Sequence, residues 1–408
     1  MSQRGEDRRA AKGSPRYRRA LIALFCAGVA TFAQVYAPQA LLPQIAEEFR
    51  LSESASSLAI GATTIGLALG MLPWGRLSDR IGRVRAMRWA IAFAIVVGLA
   101  TPFVPSFEAL VAVRFVEGIM LAGLPAIGVT ALAETVTPAA LGGAVGAFIA
   151  GNTIGGLAGR IIAAAAGEAF GWHWGLFAVG MVAAAAALCF VLLMPPTAVP
   201  AAKGLSLWQA TLATMRNPAV MVMVLQAFLL MGGFVAAYNY LAFRLQQAPF
   251  GLTLTQVSWL FLAYLTGAFA SRQAWGFTAR IPPVGVLVLG ITSMLAGLGL
   301  TLLPWLVAII AGLVLFTIGF FSAHSIALTL VSRRAGPNAT SFAPSLYNLA
   351  YYTGSTMLGW AGGLAFAAAG WGGTVAMIAA CLIAAATLAW LHASRNGGLG
   401  AVDSRPVP

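Results

Sequence analysis

The chain has 408 residues, of which 60% are hydrophobic and only 9% are charged. A soluble globular domain carries about 25% charged residues. The chain therefore has too few charges to build a surface that faces water, and we expect a surface that faces lipid instead. The net charge of +13 does not indicate nucleic-acid binding, because the basic residues occupy the polar gaps between apolar segments rather than one face of a folded domain.

Apolar segments long enough to cross a membrane, each about 20 residues, follow one another along the chain. The first six cover 19–40, 54–75, 86–104, 107–132, 141–166 and 171–194. The second six cover 218–245, 254–278, 283–303, 305–331, 340–368 and 371–392. The sequence therefore predicts an all-α membrane protein with twelve transmembrane helices.

The longest internal polar stretch, 195–217, divides these segments six and six. We predict five regions, which are a basic cytoplasmic tail (1–18), an N-terminal six-helix bundle (19–194), a cytoplasmic linker (195–217), a C-terminal six-helix bundle (218–392) and a cytoplasmic tail (393–408). If the helices alternate in direction, most arginines and lysines of the polar gaps fall on one side, and the positive-inside rule makes that side cytoplasmic. Both termini are then cytoplasmic, in a bacterial inner membrane.

Corresponding positions of the two halves carry similar short motifs. Gly171-Trp172 opens the sixth segment and Gly370-Trp371 opens the twelfth, while Gly151 in the fifth segment corresponds to Gly354 in the eleventh. We therefore expect two pseudo-symmetric bundles. Transporters built from repeats bind substrate between the halves, near the bilayer midplane.

The gap after the second segment contains the densest group of charges and glycines. It reads Gly75-Arg76-Leu77-Ser78-Asp79-Arg80-Ile81-Gly82-Arg83. Glycine permits a tight backbone turn, and the Asp79 carboxylate can pair with an arginine. We interpret Gly75, Asp79, Arg80, Gly82 and Arg83 as a conformational latch. The alternative is a basic loop that only sets topology.

The fourth segment contains two charged residues well inside an apolar stretch, Arg114 and Glu117. An arginine at a helix centre costs roughly 2.5–3.5 kcal/mol on insertion scales, so such residues usually face protein or a water-filled cavity. The two residues are three apart and share a helix face, so they can pair. Three roles remain open: coupling to protons, a purely structural ion pair, and contact with substrate.

The fifth segment contains Gly151, Asn152, Gly155 and Gly156, a run of small residues that lets helices approach closely. We interpret these four residues as a helix-packing hinge. The polar residues elsewhere in the segments are the candidates for substrate contact. They are Gln34, Tyr238, Asn239, His324, Tyr347, Asn348 and Tyr351. A buried histidine such as His324 can equally be a packed, hydrogen-bonded residue.

These motifs resemble those of the major facilitator superfamily. The loop from Gly75 to Arg83 is similar to the family signature G-x-L-a-D-R-x-G-R, and the fourth segment is similar to R-x-x-q-G, which is tied in that family to proton coupling. The run at Gly151 resembles the antiporter motif G-P-x-x-G-G, with Asn152 in place of proline. GNTIGGLAGR, FLLMGGFVAAYNYLAFRL and SLYNLAYYTGS look like segments of the YnfM group of bacterial inner-membrane transporters. The resemblance implies a two-bundle fold and alternating access.

The predicted function is secondary active transport of a small organic compound, with proton-coupled efflux preferred. The alternative is a facilitator or importer of a small polar solute such as a sugar or amino acid. An enzyme is not expected, because the sequence contains no metal-ligand cluster, no Ser/His/Asp arrangement and no Gly-rich nucleotide loop. The expected partners are a small-molecule substrate, protons and the lipid bilayer, with no cofactor, no metal and no nucleic acid, and the expected state is a monomer.

Overall fold

A computed structural model describes residues 9–195, 215–335 and 342–395. Most of the predicted linker 195–217 and the outer parts of the predicted tails 1–18 and 393–408 lie outside these ranges. The described residues are almost entirely helical, and the only β-type pairing among them is an isolated bridge between Ala10 and Val136. Ten of the described helices are long and apolar enough to cross a membrane.

Contacts divide the chain into two compact units, and the chain passes between them three times. Unit 1 contains residues 1–41 and 66–203, and unit 2 contains residues 42–65 and 204–408. Helix α4 therefore begins in unit 2 and ends in unit 1. The division into 19–194 and 218–392 stays a prediction. The helices up to the linker are α1 (Pro15–Tyr36), α2 (Leu42–Glu48), α3 (Glu53–Ser56), α4 (Leu58–Ile81), α5 (Arg83–Ala100), α6 (Phe107–Leu121), α7 (Gly123–Thr135), α8 (Pro138–Phe170) and α9 (Trp172–Leu193).

The helices after the linker belong to unit 2. They are α10 (Pro218–Gln246), α11 (Leu254–Ser258), α12 (Ala263–Ala274), α13 (Pro283–Leu300), α14 (Leu306–Arg334) and α15 (Phe342–Arg395). Helix α15 contains two of the predicted spans. They are separated at Ala369 and Gly370, where the backbone leaves the helical conformation. The predicted span 254–278 is divided among α11, α12 and the 3₁₀ segments Trp259–Leu262 and Trp275–Ala279. The ten long helices therefore account for eleven of the predicted spans, and the divided segment 254–278 is the twelfth.

Helices α1 and α8 of unit 1 cross at a row of small residues. In a bilayer, helices associate through close packing rather than the hydrophobic effect, so small side chains at the crossing matter. A methyl group at Gly155 would lie 2.6 Å from the Cα of Val29, and one at Gly159 would lie 2.6 Å from the carbonyl oxygen of Ala33. Gly151 approaches the carbonyl of Phe25 in the same way. Any larger side chain at these glycines would push the two helices apart.

Unit 2 repeats this arrangement between α10 and α15. Gly354 approaches the carbonyl oxygen of Phe228, as Gly151 approaches that of Phe25 in unit 1. The turns before the last helix of each half also match, since Gly171 and Gly370 both have positive φ angles, +89° and +58°. That region of φ is open to glycine and strained for most other residues. The internal similarity in the sequence therefore corresponds to equivalent backbone geometry.

The N-terminal segment before α1 binds the connection between α7 and α8. The backbone N–H of Ala10 donates to the carbonyl of Thr135 at 2.8 Å, and the N–H of Thr137 donates to the carbonyl of Ala10 at 3.1 Å. Ser14 then caps α1 by accepting from the N–H of Tyr17, which satisfies one of the unpaired donors at a helix start. The segment before α1 is thus fixed at Ala10 by two backbone hydrogen bonds and at Ser14 by the cap of α1.

Candidate functional site

The loop between α4 and α5 is organised around Arg83. Its Nη1 lies 2.5 Å from Oδ1 of Asp79 and donates to Oγ of Ser78 at 2.6 Å. Its Nε lies 3.3 Å from Oε1 of Glu134, at the end of α7. Gly82, just before α5, takes a φ of +93°, so the chain can reverse direction there. Arg83 therefore joins the end of α4 to the end of α7 through two carboxylates.

The remaining residues of the predicted latch take less part in these contacts. Arg80 is exposed, and a methyl group at Gly75 would meet no atom within 4 Å. The carbonyl of Gly75 accepts a hydrogen bond from Oγ of Ser78 at 2.6 Å, which fixes the hydroxyl that Arg83 contacts. The sequence interpretation did not include Ser78 or Glu134. Glu134 could have been found as an isolated acid at the predicted cytoplasmic end of the fourth span.

Arg114 and Glu117 form an ion pair deep inside unit 1, where both side chains are almost completely buried (2% and 1% exposed). Arg114 Nη1 donates to Glu117 Oε2 at 2.6 Å. Arg114 Nη2 donates to the carbonyl oxygens of Gln34 and Val35 at 2.9 and 3.0 Å, at the end of α1. Paired charges with additional hydrogen bonds are the form in which buried charges are tolerated. The pair therefore ties α6 to the C-terminal end of α1.

The two oxygens of Glu117 have different surroundings. Oε2 accepts from Arg114 and, at 3.3 Å, from the hydroxyl of Thr101. Oε1 is buried and accepts no hydrogen bond from the described residues, and the same is true of Oε1 of Gln34. Most buried polar atoms have a partner, so two such atoms beside one ion pair mark a place where a hydrogen-bond donor could bind.

A small cavity adjoins these oxygens, lined by Gln34, Gly98, Thr101, Arg114, Glu117 and residues of α9. Its volume is about 10 Å³, close to the lower limit for one water molecule. A methyl group at Gly98 would overlap Oε1 of Gln34 and lie 3.0 Å from Oε1 of Glu117. The two oxygens therefore converge on the position where Gly98 has no side chain.

Arg160 on α8 is a second buried cation in unit 1 and is 1% exposed. Its Nε donates to Oε1 of Gln39 at 2.7 Å, and its Nη1 donates to the carbonyl of Gly156 at 2.6 Å. Its guanidinium lies 4.5 Å from the centre of the Tyr36 ring, within the range of a cation–π interaction. These contacts attach α8 to the turn after α1, one turn beyond the carbonyls that Arg114 holds.

Aromatic side chains form a continuous cluster inside unit 2. Phe234 of α10 stacks on Phe320 of α14 with ring centres 3.9 Å apart, and Phe320 is stacked with His324 at 5.7 Å. His324 Nδ1 shares a hydrogen bond of 2.8 Å with the hydroxyl of Tyr347, and its ring lies 5.0 Å from that of Tyr351. The structure thus brings three of the predicted substrate-contact residues, His324, Tyr347 and Tyr351, into one group.

Tyr238 joins the same cluster through Phe234, with ring centres 4.9 Å apart, and its hydroxyl shares a hydrogen bond of 2.7 Å with Thr317. The other three candidates lie elsewhere. Gln34 is in unit 1 beside the ion pair, Asn239 is buried beside Gly359 of α15, and Asn348 is half-buried on α15. Adjacent residues of a helix point in different directions, which is why Tyr238 and Asn239 contact different neighbours.

The predicted hinge of α8 has the close packing described above, with one additional feature. Oδ1 of Asn152 is buried and accepts no hydrogen bond from the described residues. It lies against Gly28 of α1, where a methyl group would be 2.5 Å away. Among the described residues there is no group of three or more His, Cys, Asp or Glu side chains that could hold a metal ion.

Comparison with known proteins gives a consistent result over most of the chain. The family model described as Major Facilitator Superfamily matches residues 24–359. The Bacillus subtilis uncharacterized MFS-type transporter YybF is 36% identical over 377 residues, which is 92% of this chain and 93% of that protein. The Escherichia coli inner membrane transport protein YnfM is 37% identical over 380 residues, which is 92% of this chain and 90% of that protein.

Solved structures agree on the fold. The crystal structure of a bacterial homologue of the human lysosomal transporter Spinster, in an inward-facing and occupied conformation, has a TM-score of 0.77 and 17% sequence identity. The match covers 94% of this chain and 98% of that one. At this identity the likeness extends to the arrangement of helices and not to the side chains of a site.

Proposed function

The chain belongs to the Major Facilitator Superfamily and is a multi-pass membrane transporter, and from that premise we propose that it couples the efflux of a small organic compound to proton entry. The observation that carries the proposal is the buried Arg114–Glu117 pair, in which one carboxylate oxygen accepts no hydrogen bond from the part of the chain that the structure describes. A structural ion pair is most stable when every oxygen is satisfied. A carboxylate that must bind and release a proton needs an oxygen that remains accessible to it.

In this proposal Glu117 is the proton carrier and Arg114 is its electrostatic partner. Arg114 is held in place by two backbone carbonyls of α1 whether or not Glu117 is charged. Protonation of Glu117 would weaken its attraction to Arg114 on the same helix and so change the electrostatics around the contacts that Arg114 makes to α1. Coupling in a transporter requires a step of this kind, in which occupancy by one ligand changes the energy of a conformation.

The Arg83 cluster would act as the latch at the cytoplasmic side, with both termini cytoplasmic. Its contacts to Asp79 and Glu134 are partly exposed, and such ion pairs contribute only about 0–1 kcal/mol each. Weak contacts are suitable for a latch, because they bias one conformation and can be broken in each transport cycle. The two bundles would alternate between inward and outward openings around the substrate, as a monomer.

The aromatic cluster of unit 2 supports a substrate with an apolar or aromatic part. The half-buried rings of His324 and Tyr351 would contact the substrate. Phe234, Phe320 and Tyr347 are buried and would form the wall behind them. Pockets for small organic ligands commonly combine apolar walls with a few polar groups. The polar-solute facilitator or importer remains the second candidate, since direction is set by the gradients as well as by the site.

Substrate-induced proton movement in energised inside-out vesicles tests this proposal. The panel contains cationic dyes, sugars, amino acids and organic acids, added to vesicles with wild type or Glu117→Gln. We expect one class to collapse the pH gradient in wild type only. If no class moves protons with wild type while a labelled panel member still equilibrates across the membrane, the protein is a facilitator and Arg114 with Glu117 is a structural pair.

A further inference from the structure

The niche beside Gly98 contains two hydrogen-bond acceptors that point to one place. Oε1 of Gln34, from α1, and Oε1 of Glu117, from α6, both converge on the position where a Cβ of Gly98 would stand. Neither atom accepts a hydrogen bond from the described residues. Two acceptor oxygens next to each other in a buried site are unfavourable unless a donor lies between them.

The amide of Gln34 cannot turn to supply that donor without losing another bond. Its Nε2 donates to the carbonyl of Ala30 at 2.9 Å, one helical turn earlier. Exchanging the nitrogen and oxygen would place Oε1 against that carbonyl, with two acceptors facing each other. The contact to Ala30 therefore fixes which atom of the amide faces Glu117.

The other oxygen of Glu117 is already satisfied by Arg114 and Thr101. A proton on this carboxyl group is consequently best placed on Oε1, because a proton on Oε2 would face the donating guanidinium. The space available, about 10 Å³, admits at most one water molecule beside the two oxygens.

We propose that Gln34 is the acceptor for the coupled proton: when Glu117 is protonated, its Oε1–H donates to Oε1 of Gln34, directly or through one water in the Gly98 niche. Protonation forms the O–H bond of the Glu117 carboxylic acid, and that O–H then forms this hydrogen bond. No other bond forms or breaks. Gln34 is then a positioning residue, and Gly98 is required because any side chain there would occupy the niche. The inference rests on the proposed function, in which Glu117 carries the proton.

The hydrogen bond from Glu117 to Gln34 forms only when Glu117 is protonated. Proton binding therefore changes how α1 and α6 are connected. With Glu117 protonated, α1 and α6 are joined through Gln34. With Glu117 ionised, the same two oxygens repel each other, and α1 and α6 are joined here through Arg114 and the carbonyls of α1. The proton thus adds a second connection between α1 and α6.

Infrared difference spectroscopy of the purified full-length protein in lipid, after a pH step, tests this directly. The probe is the proton itself, read as the C=O band of a neutral carboxylic acid, and Glu117→Gln identifies that band by removing it. We expect Gln34→Met and Gly98→Ala to move the band to higher frequency, because the hydroxyl loses its acceptor. The methyl group of Gly98→Ala meets the mobile end of Gln34 rather than backbone, and alanine favours a helix, so this variant should fold.

Matched controls are available in the same chain. Gln226 is also a buried helix glutamine whose Nε2 donates to a backbone carbonyl, that of Ala385 at 2.8 Å, and whose Oε1 has no partner among the described residues. Gln226→Met should leave the band where it is. Gly146→Ala adds a methyl group to α8 that meets no atom of the described residues within 4 Å, and it should also leave the band unchanged.

Isotope substitution separates the two forms of the bond. If a water O–H band shifts in H₂¹⁸O and disappears in Gly98→Ala, one water mediates the contact between Glu117 and Gln34. If no such band is present, the two side chains are bonded directly. An unchanged carboxylic-acid band in both Gln34→Met and Gly98→Ala would overturn the role of Gln34 and leave the proposed function intact. The absence of any band that Glu117→Gln removes would overturn the proton-carrier role itself.

Discussion

Removing one charge of the Arg114–Glu117 pair should cost far more stability than removing both. In Arg114→Met the carboxylate of Glu117, which is 1% exposed, keeps one hydrogen bond among the described residues, from the hydroxyl of Thr101 at 3.3 Å. Loss of one partner of a buried ion pair typically costs about 3–5 kcal/mol, because the remaining charge is buried without compensation. In Arg114→Met/Glu117→Met neither charge remains, and apolar replacement of a buried pair is often neutral or stabilising.

The measurement is the free energy of unfolding by sodium dodecyl sulfate in mixed micelles, followed by circular dichroism for the wild type, both single variants and the double variant. We expect the double variant to be more stable than Arg114→Met by about 3–5 kcal/mol, because it leaves no buried charge without a partner. Arg88→Met is the control, since Arg88 donates to the backbone carbonyls of Val191 and Met194 and its loss strands no carboxylate. If the double variant loses as much unfolding free energy as the two single variants together, the idea that Arg114 and Glu117 stabilise each other is refuted.

Three further results are expected. Glu134→Gln should lower the transport rate while changing the free energy of unfolding by less than about 1 kcal/mol, because the ion pair to Arg83 is partly exposed; a rate equal to wild type would contradict a latch. Gly155→Val should destabilise the protein by about 1–3 kcal/mol, because the larger side chain overpacks against α1. Gly146→Val, which meets no atom of the described residues within 4 Å, is the control and should not destabilise it. Equal melting temperatures for the two variants would contradict the close packing of α1 against α8 at Gly155. Tyr347→Phe should cost about 0.5–1.5 kcal/mol through the lost bond to the histidine of α14 and change the relative rates for aromatic substrates; identical substrate profiles would remove the cluster from substrate contact.

Much of the fold could be predicted because each membrane-spanning helix requires an apolar segment that is visible in the sequence. Each span needs a long apolar segment, and the predicted boundary between the last two spans, at 368–371, coincides with the break in α15 at Ala369 and Gly370. The predicted span 254–278 is not one continuous α-helix. Residues Trp259–Leu262 form a 3₁₀ segment there, and hydropathy cannot distinguish a 3₁₀ turn from an α-helical one.

The candidate site could be predicted only where its residues are close in sequence. A spacing of three residues on one helix is enough to suggest that Arg114 and Glu117 pair. The placement of Gln34 and Gly98 beside Glu117 depends on how three separate helices pack, and no local pattern carries that information. Gln34 was consequently interpreted as a substrate contact, and Gly98 was not singled out at all.

Glu134 was missed for a similar reason. The motif from Gly75 to Arg83 suggested an arginine partner for Asp79 within the loop, and Arg83 lies four residues later. The second carboxylate that Arg83 contacts comes from the end of α7, 51 residues further along the chain. Long-range partners of this kind follow from the crossing of α4, α5 and α7 and not from the motif.

Uphill transport by the purified protein in proteoliposomes tests most directly whether Glu117 carries the coupled proton. A substrate identified in the vesicle panel is supplied at equal concentrations on both sides, and a pH gradient is then imposed. The account predicts that wild type accumulates substrate against its gradient, while Glu117→Gln only exchanges it without net accumulation. Accumulation by Glu117→Gln equal to that of wild type would contradict the account and exclude Glu117 as the proton carrier.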